Sequence, residues 1–130
     1  MNKDIFQCFK INLVAFSLGN HVVKHCIKEL EKFGRLDLLN NVIFIAGATD
    51  LKCNVEWENR LNSVNGAVIN CYSDIDLALW YCKKITGKDT IGTKRLKMKK
   101  IKNYLFTSFH ILYRINMDEL GKLFINDLKE

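Results

Sequence analysis

The sequence predicts an α/β domain in which about four parallel strands are flanked by helices. Two patterns support this prediction: short, continuous apolar runs that are typical of strands covered on both faces, and segments of helical spacing between them. Strand–helix alternation of this kind favours a parallel sheet. At 130 residues the chain is long enough to bury one core, so residues 1–130 are predicted to form a single domain.

The first two predicted elements are a strand over residues 12–17 and the helix that follows it. The helix starts at His21, and Gly34 is expected to stop it. Its apolar residues recur at helical spacing and predict one buried stripe, made of Val22, Val23, Cys26, Ile27, Leu30 and Phe33.

Further strands are predicted along the rest of the chain. Two continuous apolar runs, at residues 42–46 and 66–71, are typical of strands inside a parallel sheet. Residues 77–84 predict a helix, and residues 104–107 predict a weaker fourth strand. The strands and helices therefore alternate through the whole chain.

The last predicted element is an amphipathic helix over residues 117–128. Asn116 precedes it as a candidate cap, and Glu119 stands three residues further on, as in a capping box. No internal repeat and no linker interrupts the series, which agrees with one domain.

Composition and charge exclude several classes of protein. No apolar run approaches the roughly 20 residues of a transmembrane helix, and the first residues lack the apolar core of a signal peptide. The net charge of +6 permits an anionic partner without requiring one. A reduced, intracellular chain with buried thiols, rather than a disulfide framework or a zinc site, is predicted by five scattered cysteines: Cys8, Cys26, Cys53, Cys71 and Cys82.

One segment has the layout of a nucleophile elbow. An apolar strand that begins at Ile11 ends at Ser17 and turns directly into a helix. Such a strained turn holds a serine oxygen out for attack, and small residues are needed two positions before and after it, where strand and helix crowd each other. Ala15 and Gly19 meet that need, although glycine is usual at both positions. The motif is short, so it indicates a nucleophile only if an acid and a histidine follow it further along the chain.

Candidates for that acid and that histidine follow the later strands. Ligands gather beyond the carboxyl ends of parallel strands, so a carboxylate after the third strand can reach a histidine from the next loop. Asp76 is favoured over Asp74 because the loop must first clear the sheet, although either could instead cap the following helix. His110 lies in an aromatic setting after the last strand and, taken alone, could be a packed or exposed bystander. The order Ser17, Asp76, His110 is the Ser…Asp…His order of α/β-hydrolases.

In that arrangement each residue has a defined role. His110 would take the proton of Ser17 and later protonate the leaving group, and Asp76 would hold the imidazole tautomer. The backbone N–H of Leu18 would supply one oxyanion donor. This chemistry requires neither a metal nor a cofactor.

Four blocks of the sequence resemble the domain of unknown function 726 family, which includes transmembrane and coiled-coil domain-containing protein 4. Residues 13–19 are similar to the serine elbow of that family, and residues 42–49 to its strand ending in Gly-Ala-Pro. Residues 68–79 resemble its Val-Asn-x-Tyr-Ser-x-x-Asp block, and residues 101–113 its terminal His-x-x-Tyr block. Together the blocks cover about residues 12–125. Departures from the family pattern occur at Ala15, Asn20, His21 and Thr49.

The resemblance implies the carboxyl-terminal half of an α/β-hydrolase domain, so the predicted fold is a partial one. It implies a membrane-associated family and a serine hydrolase that uses Ser17, Asp76 and His110 on an ester or lipid-like substrate. We expect the strands that precede the elbow in the full fold, and with them the second oxyanion donor, to be missing from this chain.

We therefore expect a fragment, a reduced paralogue or one piece of a larger assembly. In such an assembly the exposed first strand would pair with a second copy or with a partner chain. The alternative function is a non-catalytic remnant of the fold that serves as an interaction or assembly module.

Other features have simpler explanations. The basic run from Lys94 to Lys102 is expected to be a solvated loop before the last strand, and its alternative role is contact with an anionic membrane surface. Nucleic acid is not an expected partner, because no aromatic residues interleave with the basic ones. His21 and His25 lie four apart on one helix, but no third metal ligand stands near them. Three aromatic residues are expected to pack in the core: Trp57, Trp80 and Tyr81.

Overall fold

A computed structural model describes residues 9–130 of the chain, so Cys8 lies outside the described residues. Four strands alternate with four helices. The strands are β1 (Ile11–Phe16), β2 (Leu39–Ile45), β3 (Val68–Tyr72) and β4 (Ile101–Leu105). The helices are α1 (Gly19–Lys32), α2 (Val55–Asn62), α3 (Leu77–Thr86) and α4 (Met117–Phe124). Within residues 9–130, none of the helices combines the length and the apolar content needed to cross a bilayer.

The four strands form one sheet in the order β1-β2-β3-β4, and every neighbouring pair is parallel. Phe16 lies opposite Ile45, and Ile45 lies opposite Cys71, which in turn lies opposite Tyr104. All four strands therefore end along one border of the sheet, which we call the carboxyl edge. The predicted α/β arrangement of about four parallel strands flanked by helices is confirmed.

The core lies on both faces of the sheet, and β2 is buried along its whole length. Because side chains alternate along a strand, Val42 and Phe44 of β2 pack on one face, with Ile27 of α1 and with Trp57 and Leu61 of α2. A second cluster fills the other face: Ile43, Ile45, Ile69, Cys71, Leu79, Tyr113, Leu120 and Phe124.

The helices differ from their predictions in bounds and exposure. The predicted buried stripe of α1 is wrong for Val22 and Phe33, which are 68% and 76% exposed, because α1 packs on the sheet only through a narrow side. Helix α2 is absent from the sequence prediction, and Asn54 caps it by accepting a hydrogen bond from the N–H of Trp57 at 3.0 Å. Helix α4 ends at Phe124, four residues earlier than predicted.

The expected capping box before α4 is also wrong. The side chain of Asn116 makes no cap hydrogen bond, because its Nδ2 instead donates to the backbone oxygen of Leu112 at 3.0 Å. The chain beyond α4 continues as a 3-10 turn at Ile125–Asp127.

The basic run is more structured than predicted. Ile101 and Lys102 belong to β4, so the last strand begins three residues before the predicted strand over residues 104–107. Leu96 and Met98 are buried between the exposed basic residues. The apolar members of the run anchor it to the core, and Arg95 faces solvent with the lysines.

Helix α3 lies at the carboxyl edge and is held by few contacts. Leu79 is its one buried residue, and its main neighbours are the 3-10 turns Ile91–Thr93 and His110–Tyr113. The packing prediction is correct for Trp57, which is 4% exposed, and wrong for Trp80 and Tyr81, which are 63% and 65% exposed.

Replacement of Gly92 by alanine is predicted to destabilise the protein. A Cβ atom there would lie 2.4 Å from the backbone nitrogen of Gly47 and 2.5 Å from the carbonyl carbon of Ala46. Because backbone cannot move aside as a flexible side chain can, Gly92→Ala should lower the free energy of unfolding by about 1–3 kcal/mol in denaturant titrations. The matched control is Gly121→Ala in α4, where a Cβ meets nothing within 4 Å and should stabilise the helix by about 0.5–1 kcal/mol. Equal effects of the two substitutions would contradict the packing described at the carboxyl edge.

Candidate active site

Ser17 sits in a strained turn between β1 and α1. Its φ of 54° lies in the left-handed region, which is sparsely populated for residues other than glycine. The Ser17 N–H donates to the oxygen of Ile45 at 3.0 Å, and the Ser17 oxygen accepts from the N–H of Ala48 at 3.0 Å. The end of β2 therefore holds the turn in place, as a nucleophile elbow requires.

A buried amide reinforces this turn. Asn20 is fully buried, and its Nδ2 donates to the backbone oxygens of Ser17 at 2.8 Å and of Ile45 at 3.0 Å. In the sequence, Asn20 is notable only as a departure from the family pattern. The signal that could have revealed this role is its position, because an asparagine three residues after a candidate elbow serine can hydrogen-bond to the backbone of the turn.

The small residues of the elbow are less crowded than predicted. Ala15 is 6% exposed, and a Cβ atom built on Gly19 would lie 3.8 Å from the Cβ of Ala15. That separation is an ordinary van der Waals contact. The two residues do face each other, but a methyl group at position 19 would be accommodated.

Asp76 connects β3 to α3 and has two partners. Its Oδ1 accepts a hydrogen bond from the N–H of Leu79 at 3.1 Å, and its Oδ2 lies 2.7 Å from Nδ1 of His110. The side chain is fully buried, so these donors replace the water that a carboxylate would otherwise need. The two roles weighed for Asp76 therefore coincide: it caps α3 and contacts the histidine. Asp74 is exposed and does not cap α3.

His110 completes the arrangement from the loop after β4. Its Nε2 lies 2.8 Å from Oγ of Ser17, a residue 93 positions away in sequence. The imidazole stacks on Phe16 with a centroid separation of 5.1 Å, and Tyr113 lies on another side of the ring at 6.4 Å. The side chain is 22% exposed. These contacts leave the imidazole fixed between Ser17 and Asp76 and open to solvent along one side.

Ser73, for which no role was predicted, joins the loop after β3 to the loop after β4. The fully buried Ser73 donates from Oγ to the oxygen of Ser108 at 2.8 Å and accepts from the N–H of Ser108 at 3.1 Å and of Ile75 at 3.3 Å. Ser73 stands three residues before Asp76, and Ser108 two residues before His110. The hydroxyl thus fixes the loop of the carboxylate against the loop of the histidine.

Two other ionisable groups lie in the core cluster beneath the site. Burial raises the pKa of the Cys71 thiol to about 12. Burial, with the nearby Asp76 carboxylate as a second cause, raises the pKa of Tyr113 above its usual range. Both groups therefore stay protonated at neutral pH and do not compete with His110 for the serine proton.

Leu18 is the residue predicted to donate to an oxyanion. Leu18 directly follows the serine and occupies the position before the first residue of α1, where backbone N–H groups have no helical partner. Within residues 9–130 its N–H makes no hydrogen bond. Its role in holding an oxyanion stays a prediction.

The surface around the histidine is apolar. A shallow depression of about 280 Å³ is lined by Leu77, Ala78, Phe109, His110 and Ile111. Leu18, next to the serine, is 67% exposed. The surface beside Ser17 and His110 is therefore mostly hydrocarbon.

Two other sequence features lie outside this site. The rings of His21 and His25 are 4.5 Å apart, and His21 Nδ1 contacts Oγ1 of Thr49 at 3.0 Å. In the described part of the chain, no group of three or more histidine, cysteine or acidic residues is arranged to hold a metal ion. The basic run ends near the opposite border of the sheet, where Lys99 and Lys100 line a depression beside the start of β3.

The fold and the site together define a class: an α/β domain that carries a Ser–His–Asp arrangement at the carboxyl edge of a parallel sheet. The chain belongs to the family described as "Protein of unknown function (DUF726)", whose model matches residues 8–125. The resemblance stated from the four sequence blocks is confirmed at the level of this family.

Two curated relatives are named as membrane proteins. An uncharacterized membrane protein of Schizosaccharomyces pombe is 30% identical over 77 residues, which cover 59% of this chain and 10% of the relative. An uncharacterized membrane protein of Caenorhabditis elegans is 31% identical over 102 residues, which cover 72% of this chain and 16% of the relative. The chain thus spans between a tenth and a sixth of the length of these relatives. No solved structure matches it.

Ser73→Ala should destabilise the protein. The substitution leaves the N–H and oxygen of Ser108 and the N–H of Ile75 without their buried partner, so the free energy of unfolding should fall by about 1–3 kcal/mol. Ser63→Ala is the matched control, since the Ser63 hydroxyl makes one exposed hydrogen bond, and it should change stability by less than about 0.5 kcal/mol. Denaturant titrations measure both values. A Ser73→Ala variant as stable as the control would contradict the connection between the two loops.

Proposed function

We propose that this protein is a serine hydrolase that acts on carboxyl esters. The observation that carries the proposal is the pair of short contacts that run from Ser17 through His110 to Asp76, at 2.8 and 2.7 Å. The three residues come from the ends of three strands, and nucleophile, base and orienting acid stand in the order that acyl transfer uses.

In the proposed reaction, Oγ of Ser17 attacks the ester carbonyl while Nε2 of His110 takes the serine proton. The N–H of Leu18 donates to the oxyanion of the tetrahedral intermediate. His110 then gives the proton to the leaving alkoxide, which departs as an alcohol. Water attacks the resulting acyl-enzyme in a second round, with His110 again as base, and releases the carboxylic acid and free Ser17.

Asp76 acts by position and charge. Nδ1–H of His110 donates to its Oδ2, which directs the lone pair of Nε2 toward Ser17. The buried carboxylate also stabilises the imidazolium that forms during the reaction. Phe16 stacks on the same ring and keeps it in one orientation.

The apolar depression beside His110 supports an ester or lipid-like substrate, because its lining offers few polar partners. The names of the two relatives support association of this chain with a membrane. The four described cysteines are free thiols, which supports an intracellular, reducing location. The predicted burial is correct for Cys71 and wrong for Cys53 and Cys82, which are exposed. Exposed basic residues of the run from Lys94 to Lys102 are a candidate contact with anionic head groups.

A second candidate function is a non-catalytic interaction or assembly module. The observation that favours it is the outer side of β1, which has no paired strand in the described part of the chain. Val14 is 61% and Ile11 37% exposed on this strand, and such an edge favours pairing with a second copy or a partner chain.

A fluorophosphonate probe separates the two functions. The hydrolase should be labelled covalently, and Ser17→Ala should abolish the labelling. Asp76→Asn should slow labelling by about 10⁴, since an amide at the same position favours the wrong imidazole tautomer while asparagine still caps α3. Ser63→Ala should label at the rate of the unaltered protein. Absence of labelling in a folded sample would contradict the hydrolase and favour the module.

A further inference from the structure

Helix α3 presents an unusually apolar outer surface. Leu77, Trp80, Tyr81 and Ile85 are 68%, 63%, 65% and 69% exposed. Trp80, Tyr81 and Ile85 lie three, four and eight residues after Leu77, which places all four on one side of the helix. We call these four residues the α3 apolar face. Single exposed apolar residues are common on proteins, but a continuous group of this kind marks a binding surface.

The rest of α3 shows which side is turned inward. Leu79 is 1% exposed, and Asp76 caps the helix start from a fully buried position. The helix is therefore anchored through one residue and its cap, and the α3 apolar face has no partner among residues 9–130.

This surface is continuous with the candidate active site. Leu77 lines the depression beside His110, together with Phe109 and Ile111, which are 48% and 76% exposed. Leu77 also directly follows Asp76 in sequence. A layer of hydrocarbon in contact with the α3 apolar face would therefore extend to the entrance of the site.

The side chains of α3 suit a bilayer interface better than the interior of a protein complex. Tryptophan and tyrosine are enriched where a membrane meets water, because one end of each ring is apolar and the other is polar. Lys84 lies within the arc of the apolar face, and the adjacent Lys83 pairs with Asp89 at 2.6 Å. Lysine is depleted from the centre of protein interfaces, whereas at a membrane its stem lies along the hydrocarbon and its ammonium reaches the head groups.

We propose that α3 lies on the surface of an anionic bilayer, with its apolar face at the boundary between head groups and acyl chains. Membrane binding by α3 does not depend on catalysis. The consequence that the site then faces lipid esters rests on the proposed hydrolase.

The geometry favours this surface over the later part of the basic run, since only its first residue, Lys94, shares a partner, Asp89, with α3. Lys99 and Lys100 lie beside the start of β3, and the triad lies beyond its end. Strand β3 has five residues, so the two borders are separated by about 17 Å at roughly 3.3 Å per residue. A bilayer bound to these lysines would stand at the border of the sheet away from Ser17.

Trp80 provides a direct test. The chain has two tryptophans, of which Trp57 is 4% and Trp80 63% exposed. On addition of phosphatidylcholine–phosphatidylserine vesicles, tryptophan emission should shift to the blue, and brominated acyl chains should quench it. Trp80→Phe should remove both changes while circular dichroism shows an unaltered fold. A folded protein whose emission neither shifts nor is quenched would overturn the proposal.

Vesicle sedimentation identifies the surface that binds. The triple variant Trp80→Ser, Tyr81→Ser, Ile85→Ser should weaken binding about tenfold or more, since membrane affinity scales with buried apolar area. Phe33→Ser is the matched control, because Phe33 is 76% exposed at the far end of α1, and its binding should be unchanged. A second triple variant is Lys97→Glu, Lys99→Glu, Lys100→Glu. If this variant lost vesicle binding while the α3 variant kept it, the proposal would be overturned. The proposal would also be overturned if the unaltered protein formed a dimer that the α3 variant could not form and neither of these two proteins bound vesicles.

The same proteins separate this inference from the proposed function. Ser17→Ala should bind vesicles as the unaltered chain does. The α3 variant should react with a soluble fluorophosphonate at the unaltered rate but lose hydrolysis of vesicle lipids. Vesicle binding by a protein that the probe never labels would leave α3 as a membrane surface and remove the hydrolase. Labelling by the probe without vesicle binding would support the hydrolase and overturn the proposal that α3 is a membrane surface.

Discussion

Parallel pairing of the four strands is the constraint on which the site depends. Because all strands run in one direction with matched ends, the turns that leave β1, β3 and β4 emerge along one border of the sheet. Ser17, Asp76 and His110 lie in those turns, so residues up to 93 positions apart meet within hydrogen-bond distance. An antiparallel partner at any of these positions would carry its turn to the opposite border.

The strands β1 and β2 end in matching strained turns. Ser17 and Ala46 follow the paired residues Phe16 and Ile45, and both have a left-handed φ, of 54° and 45°. Each N–H donates to the next strand, Ser17 to Ile45 and Ala46 to Cys71, at 3.0 Å in both cases. The hydrogen bonds that continue the ladder past the end of each strand therefore hold conformations that are unfavourable for residues with a Cβ atom.

The sequence was informative wherever one local pattern decided the outcome. Buried parallel strands appear as continuous apolar runs, so β2 and β3 could be located, and their order along the chain placed Asp76 and His110 at one border. The bounds of β4 were missed because edge strands alternate, and Ile101 next to Lys102 gave no apolar run. The roles of Ser73 and Asn20 were missed because each depends on backbone groups brought near by the fold.

The exposed aromatic residues of α3 show a different limit. Helical spacing predicts that Leu77, Trp80, Tyr81 and Ile85 share a side, and burial is the usual inference. What decides their exposure is where α3 lies: its main contacts are with the turns at the carboxyl edge, so only Leu79 reaches the core. Spacing alone cannot distinguish a helix face packed on a sheet from one that is exposed.

The outer edge of β1, which is unpaired within residues 9–130, would link the proposed assembly to the proposed catalysis. A strand that paired in parallel with β1 would end at the same border, next to Ser17 and the N–H of Leu18. In an α/β-hydrolase, the loop that follows such a strand supplies the second oxyanion donor. Loss of one such donor lowers turnover by about 10²–10³ but leaves the nucleophile and base intact. The proposed hydrolase and the proposed pairing would therefore be coupled: Ser17 would react with an electrophilic probe in the single chain, and full turnover would require the strand that completes the sheet.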